Sequence, residues 1–310
     1  MNGAGEVKYE PDFDVLEKLL GVPLYLDAPT TSGVPALALD VWVSYELRRA
    51  GFAPNATWPR AEHPRILPAS IANLLQALKG KERELLAARL TKQGPMKGVT
   101  SASANILGKN YLKQVDVVMS DWDTGPELLI STKRMDSSFG KNAANRVEES
   151  YGDAKNLRLR HPLAALGFVY GLRSTILNEE KKKARWLIDL LQKLGREDDA
   201  YHAVALIMIE YGTETISADE TAEDDTDNAL VAAGLEPDSE SDDVLEEVPA
   251  SAVDAALNNL PRVTIRHDTV PAALQPSRFL ELMVKRVIDA TPVDRHEGAR
   301  DRLEAPRQAH

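Results

Sequence analysis

The chain has 310 residues, of which 43% are hydrophobic and 27% are charged, as in a globular protein with ample length for a core. It contains no cysteine, which excludes disulfides and thiolate metal sites. The first residues lack the basic-then-apolar pattern of a secretory signal, and no apolar stretch reaches the roughly 20 residues that span a membrane. We therefore expect a cytoplasmic protein.

The net charge of −11 is unevenly distributed along the chain. Residues 213–249 contain fourteen acidic residues and no basic one, so the rest of the chain has a net charge of +3. Between residues 79 and 160 there are fifteen Lys and Arg and ten Asp and Glu. We predict that the acidic segment is disordered, because it has few large apolar residues. The rest of the chain is compatible with a nucleic-acid partner.

Hydrophobic periodicity and turn residues predict the elements in chain order. They are a helix (12–20), a helix (36–50), a proline-rich connection (53–68), a helix (70–90), a loop (94–108), a β-hairpin (115–133), a polar helix (142–159), a strand (164–176), a helix (178–194), a strand (201–211), an extended piece (262–267) and a helix (276–289). This order predicts an α/β fold with a central mixed β-sheet flanked by helices. We expect an α/β domain over 1–212, then the acidic segment, then a C-terminal helical extension over 250–310 that packs on the core.

The most informative segment is 115–133, VDVVMSDWDTGPELLISTK. Two short apolar runs flank a polar turn, and a symmetric hairpin places Asp116 opposite Lys133. Side chains alternate along a strand, so Ser131 and Lys133 share one face. A carboxylate and an ammonium group then meet at the edge of a buried sheet, a pairing that suits metal-assisted cleavage of a phosphodiester.

The order of elements over residues 35–211 resembles the PD-(D/E)XK nuclease superfamily, which has the restriction-endonuclease-like fold. In that superfamily a helix supplies a glutamate, the first hairpin strand carries an Asp, and the second ends in (Asp/Glu)-x-Lys. By this resemblance Glu46 matches the helix glutamate, Asp116 the motif Asp and Lys133 the motif lysine. Ser131 departs from the pattern, because it stands where the superfamily has Asp or Glu.

A hydroxyl group is a poorer ligand than a carboxylate for Mg²⁺, which prefers charged oxygen. Three arrangements stay open: Glu46 replaces the missing charge with the Thr132 carbonyl as a further ligand, the following helix supplies Glu148 or Glu149, or the site is inactive. We favour the first arrangement. The metal ligands are then Glu46, Asp116 and Thr132. The catalytic set is then Glu46, Asp116, Ser131 and Lys133.

The start of the polar helix carries side chains that suit DNA, namely Lys141, Asn142, Asn145 and Arg146. Amide groups at a helix N-terminus bind phosphate, and Lys, Asn and Arg contact the backbone or the base edges. The alternative is a solvated helix with internal side-chain pairs. The basic run at 181–183 opposes the dipole of another helix, and we interpret it as solubilising rather than as a phosphate contact.

The resemblance implies a Mg²⁺-dependent DNA endonuclease, and we expect a type II restriction enzyme or another DNA-defence enzyme with a cognate methyltransferase or defence partner. Double-strand cutting needs two active sites, so we expect a homodimer. The alternative is a catalytically inactive DNA-binding or assembly subunit, which Ser131 favours. A third hypothesis makes the acidic segment a DNA mimic that occupies the DNA-binding groove. The histidines lack metal-like spacing, and neither a P-loop nor a Gly-x-Ser-x-Gly elbow is present.

Overall fold

A computed structural model gives the structure of the chain and describes residues 9–28, 33–91, 104–137, 139, 142–212 and 250–304. The strands are β1 (Thr57–Trp58), β2 (Ala104–Leu107), β3 (Leu112–Val115), β4 (Val117–Asp121), β5 (Gly125–Met135), β6 (Ala165–Arg173), β7 (Ala203–Tyr211) and β8 (Val263–Ile265). The helices are α1 (Phe13–Tyr25), α2 (Val34–Arg49), α3 (Ala69–Ala77), α4 (Gly80–Thr91), α5 (Asn142–Arg160), α6 (Ile176–Glu179), α7 (Lys181–Leu194), α8 (Ala250–Asn258), α9 (Pro276–Ala290) and α10 (Glu297–Glu304). The acidic segment at 213–249 lies outside the described residues.

Within the described residues, six strands form one mixed sheet in the order β1-β4-β5-β6-β7-β8. The strands β5, β6 and β7 are parallel, whereas β1, β4 and β8 pair antiparallel to their neighbours. The strands β2 and β3 form a separate antiparallel hairpin. The predicted α/β fold, with a mixed sheet flanked by helices, is confirmed.

The sheet has an apolar core on each face. Leu39 of α2 and Phe279 of α9 belong to one core, together with residues of α1. Leu157 of α5 and Leu187 of α7 belong to the other core. Gly167 in β6 allows α9 to approach closely, because a Cβ there would lie 2.7 Å from the Phe279 ring.

The parallel strands determine where α5 and α7 begin. Each helix connects two parallel neighbours, so each runs antiparallel to the strands on the face that it covers. The N-terminal ends of α5 and α7 therefore lie at the C-terminal edge of β5, β6 and β7. Both helices contribute to the same core, and they pack against each other.

Two local predictions were wrong. The helix predicted over 70–90 is broken into α3 and α4, because Leu78 is extended and Gly80 has a φ of +55°. The loop predicted over 94–108 contains β2, which starts at residue 104. Among the described residues, no helix is long and apolar enough to cross a membrane.

Candidate active site

The β4–β5 hairpin forms, but its register differs by two residues from the prediction. Asp121 pairs with Gly125, which leaves a three-residue turn, and Gly125 has the positive φ of +70° that closes such turns. A bulge in β5, where Glu127 has no partner in β4, then shifts the pairing back by one residue between Ser120 and Met119. Asp116, which precedes β4, therefore lies beside Ser131 rather than opposite Lys133.

Asp116 lies at the bend where the chain leaves the β2–β3 hairpin and enters the main sheet. Its Oδ2 accepts a hydrogen bond from the backbone amide of Thr132 at 2.6 Å. Burial raises the pKa of Asp116, and the Thr132 amide and the charges of Lys133 and Lys113 oppose that rise only in part. A carboxylate in this state favours a proton or a cation beside it.

A second carboxylate, that of Asp40 in α2, lies at the same place. The hydroxyl of Thr132 donates a hydrogen bond to Asp40 Oδ1. Burial raises the pKa of Asp40 well above its ordinary value, and the nearby Asp116 carboxylate raises it further. Thr132 and Lys133 act in the opposite direction. Thr132 therefore links the two acids, since its amide holds Asp116 and its hydroxyl holds Asp40.

Glu46 is not part of this group of residues. It is fully buried. Its carboxylate accepts hydrogen bonds from the Tyr9 hydroxyl at 2.8 Å, the Asp12 amide at 2.9 Å and Arg49 at 2.7 Å. Glu46 follows Asp40 by six residues, and at about 3.6 residues per turn the two side chains lie on different sides of α2. The structure thus places Glu46 between α1 and α2, and it places Asp40 where the sequence analysis expected Glu46.

Ser131 and Lys133 lie on the face of β5 that is turned toward α5 and α7. Ser131 is buried and lies near the Tyr201 hydroxyl, which has no hydrogen-bond partner among the described residues. Burial raises the pKa of Tyr201 far above its ordinary value, so this hydroxyl keeps its proton. Lys133 is half-buried, and its positive charge acts on both Asp116 and Asp40. The described part of the chain therefore holds two carboxylates at Thr132, and the charge of the adjacent Lys133 acts on both.

The acids of α5 are close but already paired. Lys113 Nζ lies 2.6 Å from the buried carboxylate of Asp153 and 3.3 Å from Glu149. Burial disfavours the charge of Lys113, but the two acids outweigh this effect and raise its pKa. Glu148 is exposed. A ligand from this helix would require the pairs with Lys113 to open.

The residues predicted to bind DNA are only partly described. Lys141 and the side chain of Asn142 lie outside the described residues, and Asn145 is exposed. Burial raises the pKa of Tyr170 to about 12, and the charge of Arg146 opposes this rise, so Arg146 lies near Tyr170. Tyr170 is the register partner of Lys133. Arg146 is therefore close to the part of the sheet that carries Lys133.

The two-carboxylate site fits one kind of metal ion. In the described residues, no group of three or more His, Cys, Asp or Glu side chains is placed to hold a metal. Mg²⁺ needs no such group, because it is commonly bound by one or two carboxylates together with waters and substrate phosphates. Asp40 and Asp116 supply that number, and a cation would relieve the repulsion that raises the pKa of Asp40.

Sequence reasoning missed Asp40. The available signal was an acid inside the apolar run LALDVWV of α2. Comparisons with protein-family models, with curated proteins and with solved structures find no match to this chain.

Proposed function

We propose that the protein is a Mg²⁺-dependent DNA endonuclease of the PD-(D/E)XK type. The observation that carries this proposal is that Thr132 holds the carboxylates of Asp40 and Asp116, while the charge of the adjacent Lys133 acts on both. Such a site offers two charged oxygen ligands and one cation, which are the groups that phosphodiester hydrolysis requires.

The order of elements supports the same proposal. The helix α2, the β4–β5 hairpin, α5, β6, α7 and β7 follow one another as the resemblance to the restriction-endonuclease-like fold implies. The carboxylate pair lies where β4 begins beside β5, and the helix before the hairpin supplies one of its acids. We include a restriction-endonuclease-like core in the proposal on this basis.

Asp40 and Asp116 would hold the metal ion. When bound, Mg²⁺ polarises the scissile phosphate and lowers the pKa of a bound water. Thr132 positions both carboxylates through its amide and its hydroxyl, so neither acid has to be ordered when substrate arrives. The charge set differs from that of the superfamily, since Asp40 supplies the carboxylate that is missing at Ser131.

Lys133 would bind at the reacting phosphate. Its ammonium group offsets the negative charge that develops on the phosphoryl oxygens, or it orients the attacking water. Its charge already acts on both carboxylates, and in this proposal all three groups act on one phosphate. Asn145 and Arg146 would contact the DNA beside this site.

The biological setting belongs to the same proposal. We propose a cytoplasmic restriction or DNA-defence enzyme that acts with a cognate methyltransferase or defence partner. Cutting both strands of a duplex would require a homodimer, because each chain supplies one such site.

Incubation of supercoiled plasmid with Mg²⁺ tests the proposal. Wild type should nick the plasmid, whereas Lys133→Ala should lower the rate at least 100-fold, which is the usual effect of removing one group that stabilises transition-state charge. DNA binding should persist in this variant. Equal nicking by both proteins, or no nicking by either with Mg²⁺ or Mn²⁺, would contradict the proposal.

Ser131 favours a second candidate, a catalytically inactive DNA-binding or assembly subunit that keeps the nuclease fold. Such a subunit should bind DNA with salt-sensitive affinity but should show no increase in melting temperature with Mg²⁺. The endonuclease should show both. Thermal unfolding with and without Mg²⁺ therefore distinguishes the two candidates.

A further inference from the structure

The first two turns of α7 carry an exposed basic surface with an aromatic side chain. Lys181, Lys182 and Arg185 are exposed, and Trp186 beside them is 47% exposed. Residues four apart on a helix are neighbours, so Lys181 lies next to Arg185 and Lys182 next to Trp186. We call these four residues the α7 basic patch.

The cations of the α7 basic patch have no ion-pair partner among the described residues. This differs from the other lysines of the same helix, since Lys183 pairs with Glu180 and Lys193 pairs with Asp189. The unpaired charges are thus confined to one end of α7.

The arrangement is unfavourable for the helix by itself. Lysines in the first turn oppose the positive end of the helix dipole, and the neighbouring Lys181 and Arg185 repel each other. An acidic residue at either position would be more favourable for an isolated helix. A bound polyanion would turn both effects into attraction, because its negative charges meet the cations and the helix N-terminus together.

The fold places the α7 basic patch at the candidate active-site edge of the sheet. The helices α5 and α7 cover the same face and begin at the C-terminal edge of the parallel strands. Lys133 lies two residues before the end of β5, and its partner Tyr170 lies three residues before the end of β6. Arg146 of α5 acts on Tyr170. Arg146 of α5 and the cations of the α7 basic patch therefore lie along the same edge of the sheet as Lys133.

We propose that the α7 basic patch binds the phosphate backbone of the DNA substrate, and this inference rests on the proposed function. Lys181, Lys182 and Arg185 contact phosphates without reading sequence, and Trp186 packs against a sugar or a base. DNA is the occupant that the charges favour, because the patch carries three cations, unpaired within the described part of the chain, along the edge at which the proposed function places the phosphodiester. The basic run that sequence reasoning interpreted as solubilising thus becomes part of the substrate path.

Charge reversal at the two ends of α7 tests the inference, and the same helix supplies the control. Lys181→Glu/Lys182→Glu alters the patch, while Lys193→Glu/Arg196→Glu makes the same change in net charge at the exposed far end. Binding of a fluorescent 30-base-pair duplex is measured by anisotropy in EDTA, so that cleavage plays no part. Glutamate suits a helix N-terminus, and circular dichroism checks the fold of each variant. The uncharged pair Lys181→Gln/Lys182→Gln is a second probe of the patch.

Lys181→Glu/Lys182→Glu should bind the duplex at least 10-fold more weakly than wild type. The control, Lys193→Glu/Arg196→Glu, should weaken binding by less than 3-fold. Loss of two phosphate contacts should also reduce the slope of log K against log salt by about 1.8. If DNA quenches the tryptophan fluorescence of the protein, Trp186→Phe should abolish the part of that quenching that comes from Trp186. The inference would be overturned if the two charge-reversal variants weakened binding equally, or if neither of them weakened it.

The outcomes separate the inference from the proposed function. If wild type binds DNA through the patch but does not nick plasmid, the proposed function fails and the patch remains a DNA-binding surface. If wild type nicks plasmid and the patch variant binds normally, only the inference fails. If wild type binds vesicles of anionic lipid but not DNA, both fail.

Discussion

Two carboxylates that share one half-buried site disfavour each other's ionisation, and this makes Asp40 and Asp116 sensitive to pH. The folded state holds the proton of Asp40 up to a higher pH than the unfolded chain, whose aspartates titrate near about 3.9. Stability is therefore lost as pH rises from that value to the raised pKa of Asp40 and is constant beyond it. Metal binding needs the ionised acids, so activity should rise with pH over a range above the ordinary titration of aspartate.

The first prediction is that Asp40→Asn stabilises the protein at neutral and alkaline pH while it abolishes activity. Asparagine can still accept the Thr132 hydrogen bond but has no charge to be penalised. The gain in unfolding free energy should be absent near pH 4 and should grow as pH rises. Its full size should be about 1.4 kcal/mol for each unit by which folding raises the pKa of Asp40. Thermal unfolding between pH 4 and 9 measures it.

Asp153→Asn is the matched control for this prediction. Asp153 is also buried, but it forms an ion pair with Lys113 at 2.6 Å. Its replacement should destabilise the protein by about 3 kcal/mol, because Lys113 is left without its closest partner. A stabilising Asp153→Asn, or a destabilising Asp40→Asn at pH 8, would contradict the assignment of the two acids.

The second prediction concerns Glu46, which we assign to packing between α1 and α2. Glu46→Gln removes the charge that Arg49 contacts and one of the buried acceptors used by Tyr9 and Asp12. We expect the free energy of unfolding to fall by about 2–3 kcal/mol. The contact with Arg49 adds little to this figure, because Arg49 is partly exposed to solvent. Urea unfolding measures this loss. An unchanged midpoint would argue that Glu46 has another role.

At this scale sequence reasoning named Asp116 and Lys133, which the structure places on either side of Thr132 in the candidate site, but it did not name Asp40. The residues of a hairpin motif are close together in the sequence and have a recognisable spacing. They can therefore be identified without knowledge of the fold. The helix acid depends on which side of α2 meets β5, and the apolar residues of α2 do not define one side. Leu37 is 47% exposed, whereas Leu39 and Trp42 are buried. Only the packed sheet selects Asp40.

At the scale of elements, the β2–β3 hairpin and α5 together position the bend that carries Asp116. Asn156 of α5 holds this hairpin, since its Oδ1 accepts from the Asn110 amide at 2.8 Å and its Nδ2 donates to the Tyr111 carbonyl at 3.1 Å. Gly108 allows this contact. A Cβ at Gly108 would lie 2.1 Å from Asn156 Nδ2.

The third prediction is that Gly108→Ala destabilises the protein by about 2–3 kcal/mol, because Asn156 must move and lose both hydrogen bonds. Gly152→Ala is the control. Gly152 lies in α5, the helix that carries Asn156, and a Cβ there meets no atom within 4 Å. This replacement should stabilise the protein by about 0.5–1 kcal/mol through helix propensity. Chemical denaturation of both variants measures the difference. Equal effects would show that the close approach is unimportant.

The order of elements was predictable because each long element has its own hydrophobic period. The register of the β4–β5 hairpin was not, since a bulge and a three-residue turn shift the pairing without changing the apolar pattern. The β2 strand was missed because its segment is short and follows a stretch rich in glycine and serine. Short strands depend on partners that sequence periodicity does not show.

At the scale of the whole molecule, the charge is unevenly distributed. The segment 213–249 is strongly acidic, and the rest of the chain is weakly basic. This segment follows β7, and β8 pairs with the end of β7, where Tyr211 is opposite Val263. Its fourteen acidic residues therefore follow a strand that ends at the edge of the candidate DNA surface. Negative charge near that edge should repel DNA over a distance set by the ionic strength.

The fourth prediction is that replacing 213–249 with a Gly/Ser linker of about ten residues tightens DNA binding. We expect at least a threefold gain at low salt, and the gain should disappear at high salt. A full-length variant with the acids of this segment changed to Asn and Gln separates charge from length. Unchanged affinity in both variants would exclude an electrostatic role, including that of a DNA mimic.

The most direct test of the central claim compares plasmid nicking by Asp40→Asn and by Glu46→Gln. The claim is that Asp40, Asp116 and Lys133 form a Mg²⁺-dependent site around Thr132. Asp40→Asn should lower the nicking rate at least 100-fold while the protein stays folded, and Glu46→Gln should nick at a rate close to wild type below its melting temperature. Nicking that persists in Asp40→Asn but is lost in folded Glu46→Gln would contradict the claim.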